Sequence, residues 1–240
     1  MELVRTCAGA ISPDSDLERW YRKFSTGQAT RLAVDLDIID TFVERSAAIL
    51  EVGAVPLILT LALARQKFSV AAVDIEPFRF EQAISEHGLN VVACNIETEA
   101  LPFEDSSFDA LILNEVMEHL RINPVFTLRE ARRVLRLGGT LLMSTPNLRS
   151  LNGIWNLAVH GRSYALADNV YDEYQKLERI GHVGHVREYA PGDIQALLAR
   201  LGFVVEVLVY RGKQRARLAE TFCRLMPQFR RSVSYIARAA

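Results

Sequence analysis

A doubly wound α/β fold is predicted by two features of the sequence. Short apolar runs alternate with amphipathic helical segments along most of the chain, and those runs are continuous enough for parallel strands covered on both faces. Two helical segments come first, Asp16 to Phe24 and Thr30 to Val43, with Leu32, Leu36, Ile39 and Val43 on one face of the second. They are expected to form a helical lid or side layer within residues 1–46. Strands are expected at Ala48 to Val52, Phe68 to Val73, Asn90 to Cys94, Phe108 to Leu113 and Thr140 to Ser144, separated by helices at Pro56 to Ala64, Arg79 to His87 and Val125 to Arg136. The third helix is well punctuated, with Asn123 as N-cap, Pro124 at the first helical position and Gly138-Gly139 beyond the end.

Residues 146–190 have weaker periodicity and are expected to be an inserted segment on the binding side of the sheet. Pro191 then opens a helix with Ile194, Leu197, Leu198 and Leu201 on one face, stopped by Gly202. A strand from Phe203 to Tyr210, a helix from Gln214 to Leu225 and a strand from Ser232 to Ala237 follow. The alternation of Val233, Tyr235 and Ala237 places that last strand at or near a sheet edge.

With 240 residues, 50% of them apolar, the chain can bury one core without disulfides or a metal and is expected to form a single domain over 1–240. A net charge of −1 provides no global field toward nucleic acid or an anionic membrane, so a small neutral or locally recognised partner is expected and nucleic acid is not. No apolar run is long enough for an integral membrane segment. Cys7, Cys94 and Cys223 are widely spaced, which suits reduced thiols in a cytoplasmic protein. The five histidines have no zinc-like spacing with the cysteines, so no metal site is expected. The oligomeric state is left open.

The first strand ends Glu51-Val52-Gly53 and leads into a helix, and the second ends at Asp74, 21 positions after Gly53. That is the spacing of a nucleoside site in a Rossmann-like sheet, where a glycine admits the ligand to the backbone and an acid accepts bonds from the ribose hydroxyls. A plain tight turn with a solvated acid at a strand end has the same signature.

Three later stretches separate these alternatives. Leu101-Pro102-Phe103-Glu104-Asp105-Ser106-Ser107-Phe108-Asp109, then Asn114-Glu115-Val116-Met117-Glu118-His119-Leu120, then Glu130 through Gly139 closely resemble the class I S-adenosylmethionine-dependent methyltransferases, especially the small-molecule branch of that superfamily. The resemblance runs from about Ile49 to Ala237. It implies a seven-stranded sheet, mostly parallel with an antiparallel last strand beside the fifth, helices on both faces, and S-adenosylmethionine as cofactor. It also implies that Glu51 and Gly53 line the methionine end, Asp74 holds the ribose, Asn95 and Ile96 flank the adenine, and Asn114 and Glu115 face the sulfonium. The run Gly181-His182-Val183-Gly184-His185-Val186-Arg187-Glu188-Tyr189 is similar to an acceptor-side motif of such enzymes.

The glycine loop departs from the family pattern. Gly53 is followed by Ala54, Val55, Pro56 and Leu57, so two of the three usual glycines are absent. The expected consequence is a turn on a different path, with Pro56 starting the helix and Val55 crowding the methionine end. A nicotinamide oxidoreductase is disfavoured, because Val55 and Ile58 stand where its fingerprint needs glycine.

Metal-independent methyl transfer to oxygen or nitrogen of a small metabolite or glycan-related acceptor is therefore the expected activity. His119 and His185 are candidate general bases, since imidazole titrates near neutrality. Tyr164, Tyr171, Arg187 and Tyr189 are candidate acceptor contacts. His119 is equally suited to packing at a helix end, and Arg187 to pairing with a carboxylate. The basic run Arg211, Lys213, Arg215, Arg217, Arg230 and Arg231 is expected to be a solvated face. The competing expectation is a non-catalytic binding or scaffold protein of the same fold with lost or weak cofactor affinity.

Overall fold

In the computed structural model, residues 1–162, 171, 175 and 184–240 are described. Seven strands form one sheet in the order β3-β2-β1-β4-β5-β7-β6. They are β1 (Ala48–Val52), β2 (Ser69–Asp74), β3 (Asn90–Ala93), β4 (Phe108–Asn114), β5 (Leu135–Pro146), β6 (Phe203–Arg211) and β7 (Ser232–Ala239). β1 through β5 pair in parallel, and β7 runs antiparallel between β5 and β6. The last strand thus lies one position in from the edge, beside the fifth, as the resemblance implies.

Alternate residues of each central strand enter two different cores, because successive strand side chains point to opposite faces. Ile49, Ala72, Ala110, Ile112, Leu142 and Ile236 meet α1 (Glu2–Ala10), α2 (Glu18–Phe42), α3 (Ile58–Arg65) and α4 (Glu81–His87) on one face. Leu50, Val73, Leu111, Leu113, Leu141, Met143 and Tyr235 meet α5 (Pro124–Val134) and α7 (Pro191–Arg200) on the other, where α6 (Leu151–His160) precedes α7 in the chain. Helix α8 (Arg217–Leu225) connects β6 to β7. Among the described residues no helix is long and apolar enough to cross a membrane. All three cysteines are buried and free of disulfides.

Several elements differ from expectation for identifiable reasons. The two N-terminal helical segments are one continuous helix, α2, because Ser25, Thr26 and Gly27 lower helix propensity without stopping the ladder, and the Ser25 and Thr26 hydroxyls donate to the Arg22 carbonyl at 3.3 and 2.9 Å. An additional helix, α1, precedes it and buries Val4 and Cys7. Asn123 caps α5 as expected, its side chain accepting from the N–H groups of Val125 and Phe126. Gly138 and Gly139 do not stop that helix, since α5 ends at Val134 and the chain continues directly into β5 through both glycines. At Gly139 a β-carbon would fall 2.8 Å from the Arg136 carbonyl oxygen, so close backbone approach is what demands glycine there.

The stretches that carry the family resemblance are tied to one another. Arg133 in α5 donates to Glu130, Asp105 and the carbonyls of Leu101 and Phe103, fastening the segment before β4 to the helix after it. Asp109 accepts the Ala48 N–H at 2.8 Å and pairs with Arg136, joining β4 to the start of β1. These contacts fix the amino ends of β1 and β4, at the opposite edge of the sheet from the crevice described next.

Candidate active site

Strand order reverses between β1 and β4, and their carboxyl ends face the crevice where ligands of open α/β sheets bind. Gly53 leaves β1 with φ of 74°, and the N–H groups of Gly53 and Ala54 both donate to the Val73 carbonyl, at 2.9 and 3.2 Å. A β-carbon on Gly53 would lie 2.5 Å from Cγ2 of Val116, in the turn after β4. Only glycine lets the two turns meet this closely.

The loop that follows corrects the sequence-based expectation. The turn from Ala54 to Leu57 is closed by the Leu57 N–H donating to the Ala54 carbonyl at 2.7 Å, across a cis Val55-Pro56 peptide. The helix starts at Ile58, so Pro56 lies outside it. The left-handed backbone after Gly53 falls on Leu57, at φ 66°, and not on Val55, whose branched side chain would be strained there. That conformation costs a residue with a β-carbon about 1–2 kcal/mol. The Leu57 side chain is wholly buried, and its packing offsets the cost.

Asp74 ends β2 beside this loop. Its Oδ2 accepts the Val55 N–H at 2.8 Å and its Oδ1 the Glu76 N–H at 3.3 Å, which leaves each oxygen further acceptor capacity. Burial pushes the Asp74 carboxyl up, and the backbone N–H bonds from Val55, Glu76 and Ile75 pull against it. Glu51 is buried and accepts the Thr60 hydroxyl of α3 at 2.6 Å. Its carboxyl is pushed up to about 8 by burial, opposed by the Thr60 bond and reinforced by Asp35 and Asp74.

Asn95 and Ile96 follow β3. Asn95 Oδ1 accepts the Glu97 N–H at 3.1 Å, and the Ile96 carbonyl accepts the Thr127 hydroxyl at 2.9 Å, so α5 holds this turn. Asn114 ends β4, half-buried. Glu115 has φ of 56°, and its Oε1 accepts from Ser144 Oγ at 2.9 Å and faces Arg211 at 3.4 Å. Gly53 and the polar side chains of Asp74, Asn95, Asn114 and Glu115 thus stand at or just beyond the ends of adjacent strands, a set of groups that suits a nucleoside in kind.

The acceptor-side residues divide. The backbone N–H groups of Val186 and Arg187 donate to the Glu118 carbonyl at 2.9 and 3.3 Å, which pins the segment before α7 to the turn after β4. His119 and His185 consequently stand edge to face with ring centroids 4.8 Å apart, and His185 Nε2 lies 3.8 Å from Glu118 Oε1. Tyr189 joins this group: burial pushes its phenol up, Arg187 pulls it back, and Glu118 pushes it further up. The Arg187 side chain is exposed. Tyr171 is 69% exposed and its hydroxyl accepts from Gln175 at 2.9 Å. Tyr164 lies outside the described residues.

Three residues that sequence reasoning missed matter here. Arg211, read within the basic run as part of a solvated face, is 8% exposed and pairs with Asp35 of α2, itself 2% exposed. The charge pattern of a short segment cannot reveal a partner 176 positions away. Arg230 likewise pairs with Glu220 at 3.1 Å. Glu118 is wholly buried next to both histidines. Its position directly before His119 was a visible signal, but its burial was not.

Residues 50–143 match the family model of the methyltransferase domain. The ubiquinone biosynthesis O-methyltransferase of Xylella fastidiosa strain M23 is 34% identical over 139 residues, which cover 55% of this chain and 55% of that protein. The chain spans 35% to 55% of the length of the curated relatives it matches. A solved protein of Pyrococcus horikoshii OT3 shares the fold with TM-score 0.64 at 17% identity, covering 93% of this chain and 99% of that one. A solved S-adenosylmethionine-dependent methyltransferase of Thermotoga maritima does so with TM-score 0.62 at 15% identity, covering 94% and 97%. Together these comparisons show a methyltransferase-domain match over residues 50–143 and, over nearly the whole chain, the fold of these solved proteins.

Proposed function

We propose that this chain transfers a methyl group from S-adenosylmethionine to oxygen or nitrogen of a small metabolite or glycan-related acceptor. The observation that carries this reading is the row Gly53, Asp74, Asn95 and Asn114 at the carboxyl ends of β1 to β4, where the strand order reverses. Asp74 would hold the ribose hydroxyls, Asn95 and Ile96 the adenine, Glu51 and Gly53 the methionine end, and Asn114 and Glu115 the sulfonium side. The sulfonium supplies an already activated methyl carbon, so the protein's main work is alignment and removal of the acceptor's proton. His119 or His185 would take that proton, with Arg187, Tyr189 and Tyr171 contacting the acceptor; Tyr164, outside the described residues, would serve the same side.

Isothermal titration with S-adenosylmethionine and S-adenosylhomocysteine tests the reading, which expects saturable binding of both. A fold kept for binding or scaffolding without cofactor is the second reading, favoured by Val116 closing on Gly53 and by leucine where the loop turns left-handed. Absence of binding in the native chain, with binding gained in Val55→Gly/Leu57→Gly, would favour that second reading. Micromolar binding by the native chain, not improved in the double variant, would show that the altered loop is no defect.

A further inference from the structure

We propose that Glu118, His119 and His185 form a binding site for one divalent cation of the zinc class, on the acceptor side of the crevice. The inference deepens the methyltransferase reading, on which its catalytic meaning rests, and replaces both the metal-free transfer expected from sequence spacing and the general-base role given above to His119 or His185. One ligand atom from each of the three residues lies within 4.8 Å of the other two. Two imidazoles and one carboxylate are the donor set of catalytic zinc sites, which keep a fourth position open.

The geometry needs only a small contraction. Tetrahedral ligands at about 2.0–2.1 Å from a metal lie roughly 3.4 Å apart. Glu118 Oε1 and His185 Nε2 are already at 3.8 Å. His119 Nδ1 is 3.2 Å from the Gly184 carbonyl, which can only accept, so the ring donates there, and in the neutral imidazole Nε2 is the nitrogen that would ligate. Gly184 immediately precedes His185, and the same segment is held by the two backbone bonds to the Glu118 carbonyl. The fold therefore places all three donors with backbone contacts that do not involve the donor atoms of Glu118 and His185.

A second observation points to a ligand. Glu118 is 0% exposed, and neither carboxylate oxygen has a hydrogen-bond partner among the described residues. Thr145 stands near it and eases the burial that pushes the Glu118 carboxyl up, but its hydroxyl does not reach hydrogen-bond geometry with either oxygen. Burying a carboxylate without a donor is costly, and coordination to a cation is one of the ways folded proteins satisfy such a group. A cation here would take a hydroxyl oxygen of the acceptor as its open ligand and lower the pKa of that hydroxyl. The acceptor class that follows is an alcohol, phenol or sugar hydroxyl rather than an amine.

The test titrates Zn2+ alone into chelator-treated protein by calorimetry and repeats the experiment with Co2+ followed by its visible absorption. Native protein is expected to bind one equivalent, with affinity at least tenfold weaker in His185→Ala and in Glu118→Gln and unchanged in His160→Ala, a histidine exposed at the end of α6. Circular dichroism establishes that each variant is folded, and the two ligand variants back each other should one fail to fold. Absence of stoichiometric binding to the native chain overturns the proposal, as does equal affinity in the folded ligand variants. S-adenosylmethionine titration of the same samples is read separately, so loss of the methyltransferase reading and loss of the metal site give different results.

Discussion

A β-carbon on Gly53 would sit 2.5 Å from Cγ2 of Val116, so the turn that ends β1 and the turn that ends β4 touch at the one position where a side chain is missing. Gly53→Ala carries two penalties, a left-handed backbone at φ 74° and this clash. Gly53→Ala is expected to lower stability by about 2–5 kcal/mol, from roughly 1–2 for the backbone and 1–3 for overpacking. Adding Val116→Ala should recover the clash part alone. Chemical denaturation of the two single variants and the double one measures the coupling, and strictly additive effects would show that the two side chains do not meet.

Asp74 is expected to act twice, as an anchor for the Val55 N–H and as a ribose acceptor. Asp74→Ala should weaken S-adenosylmethionine binding by about 1.5–3 kcal/mol, the range for hydrogen bonds to a charged group. Asp74→Asn keeps one acceptor oxygen and should lose less. Calorimetric affinities equal to native in both variants would remove Asp74 from the cofactor site.

Glu51 makes stability depend on pH in a defined direction. Its folded pKa of about 8 lies above the ordinary carboxyl value of 4.5, so the folded state binds the proton more tightly than the unfolded chain. The stabilisation is fully present below about pH 4.5 and is lost as pH rises through about 8. Glu51→Gln keeps an acceptor for Thr60 and removes the titration. The difference in melting temperature between the variant and native protein should shift in favour of the variant between pH 5 and pH 8, and a difference independent of pH would contradict the assignment.

The buried pair of Arg211 and Asp35 is expected to fail asymmetrically. Arg211→Met leaves Asp35, 2% exposed, with only Arg31 at 3.5 Å, and should cost about 3–5 kcal/mol, as for breaking a buried ion pair. Replacing both partners, Arg211→Met with Asp35→Leu, should restore most of that loss. Denaturant midpoints decide, and a double variant as unstable as the single one would mean that the pair contributes more than mutual neutralisation. Arg211 also reaches Glu115, so S-adenosylmethionine affinity in the double variant reports whether Glu115 depends on this arginine for its position.

Much of this molecule was legible from local pattern. The bounds of β1, the capping of α5 by Asn123 and the alternation of strands and helices follow from apolar periodicity and cap chemistry, which act within a few residues. The placement of Gly53 and Asp74 at the ends of adjacent strands was legible for the same reason, since two parallel strands and their linking helix fix that spacing. Relations that depend on the remaining coordinates of the chain were not. That the loop turns left-handed at Leu57 was not legible, because the burial of the leucine offsets the strain and no local preference reveals burial.

The sequence by itself determined the α/β class, the order of its strands along the chain, and the set of side chains near the strand ends, since propensity and periodicity are carried by neighbours in sequence. Only the tertiary structure decided that Arg211 leaves solvent for Asp35 and that His185 arrives beside a buried Glu118. Each of these is a contact across a long separation, and its energy depends on the shared burial of groups that no local window of the chain contains.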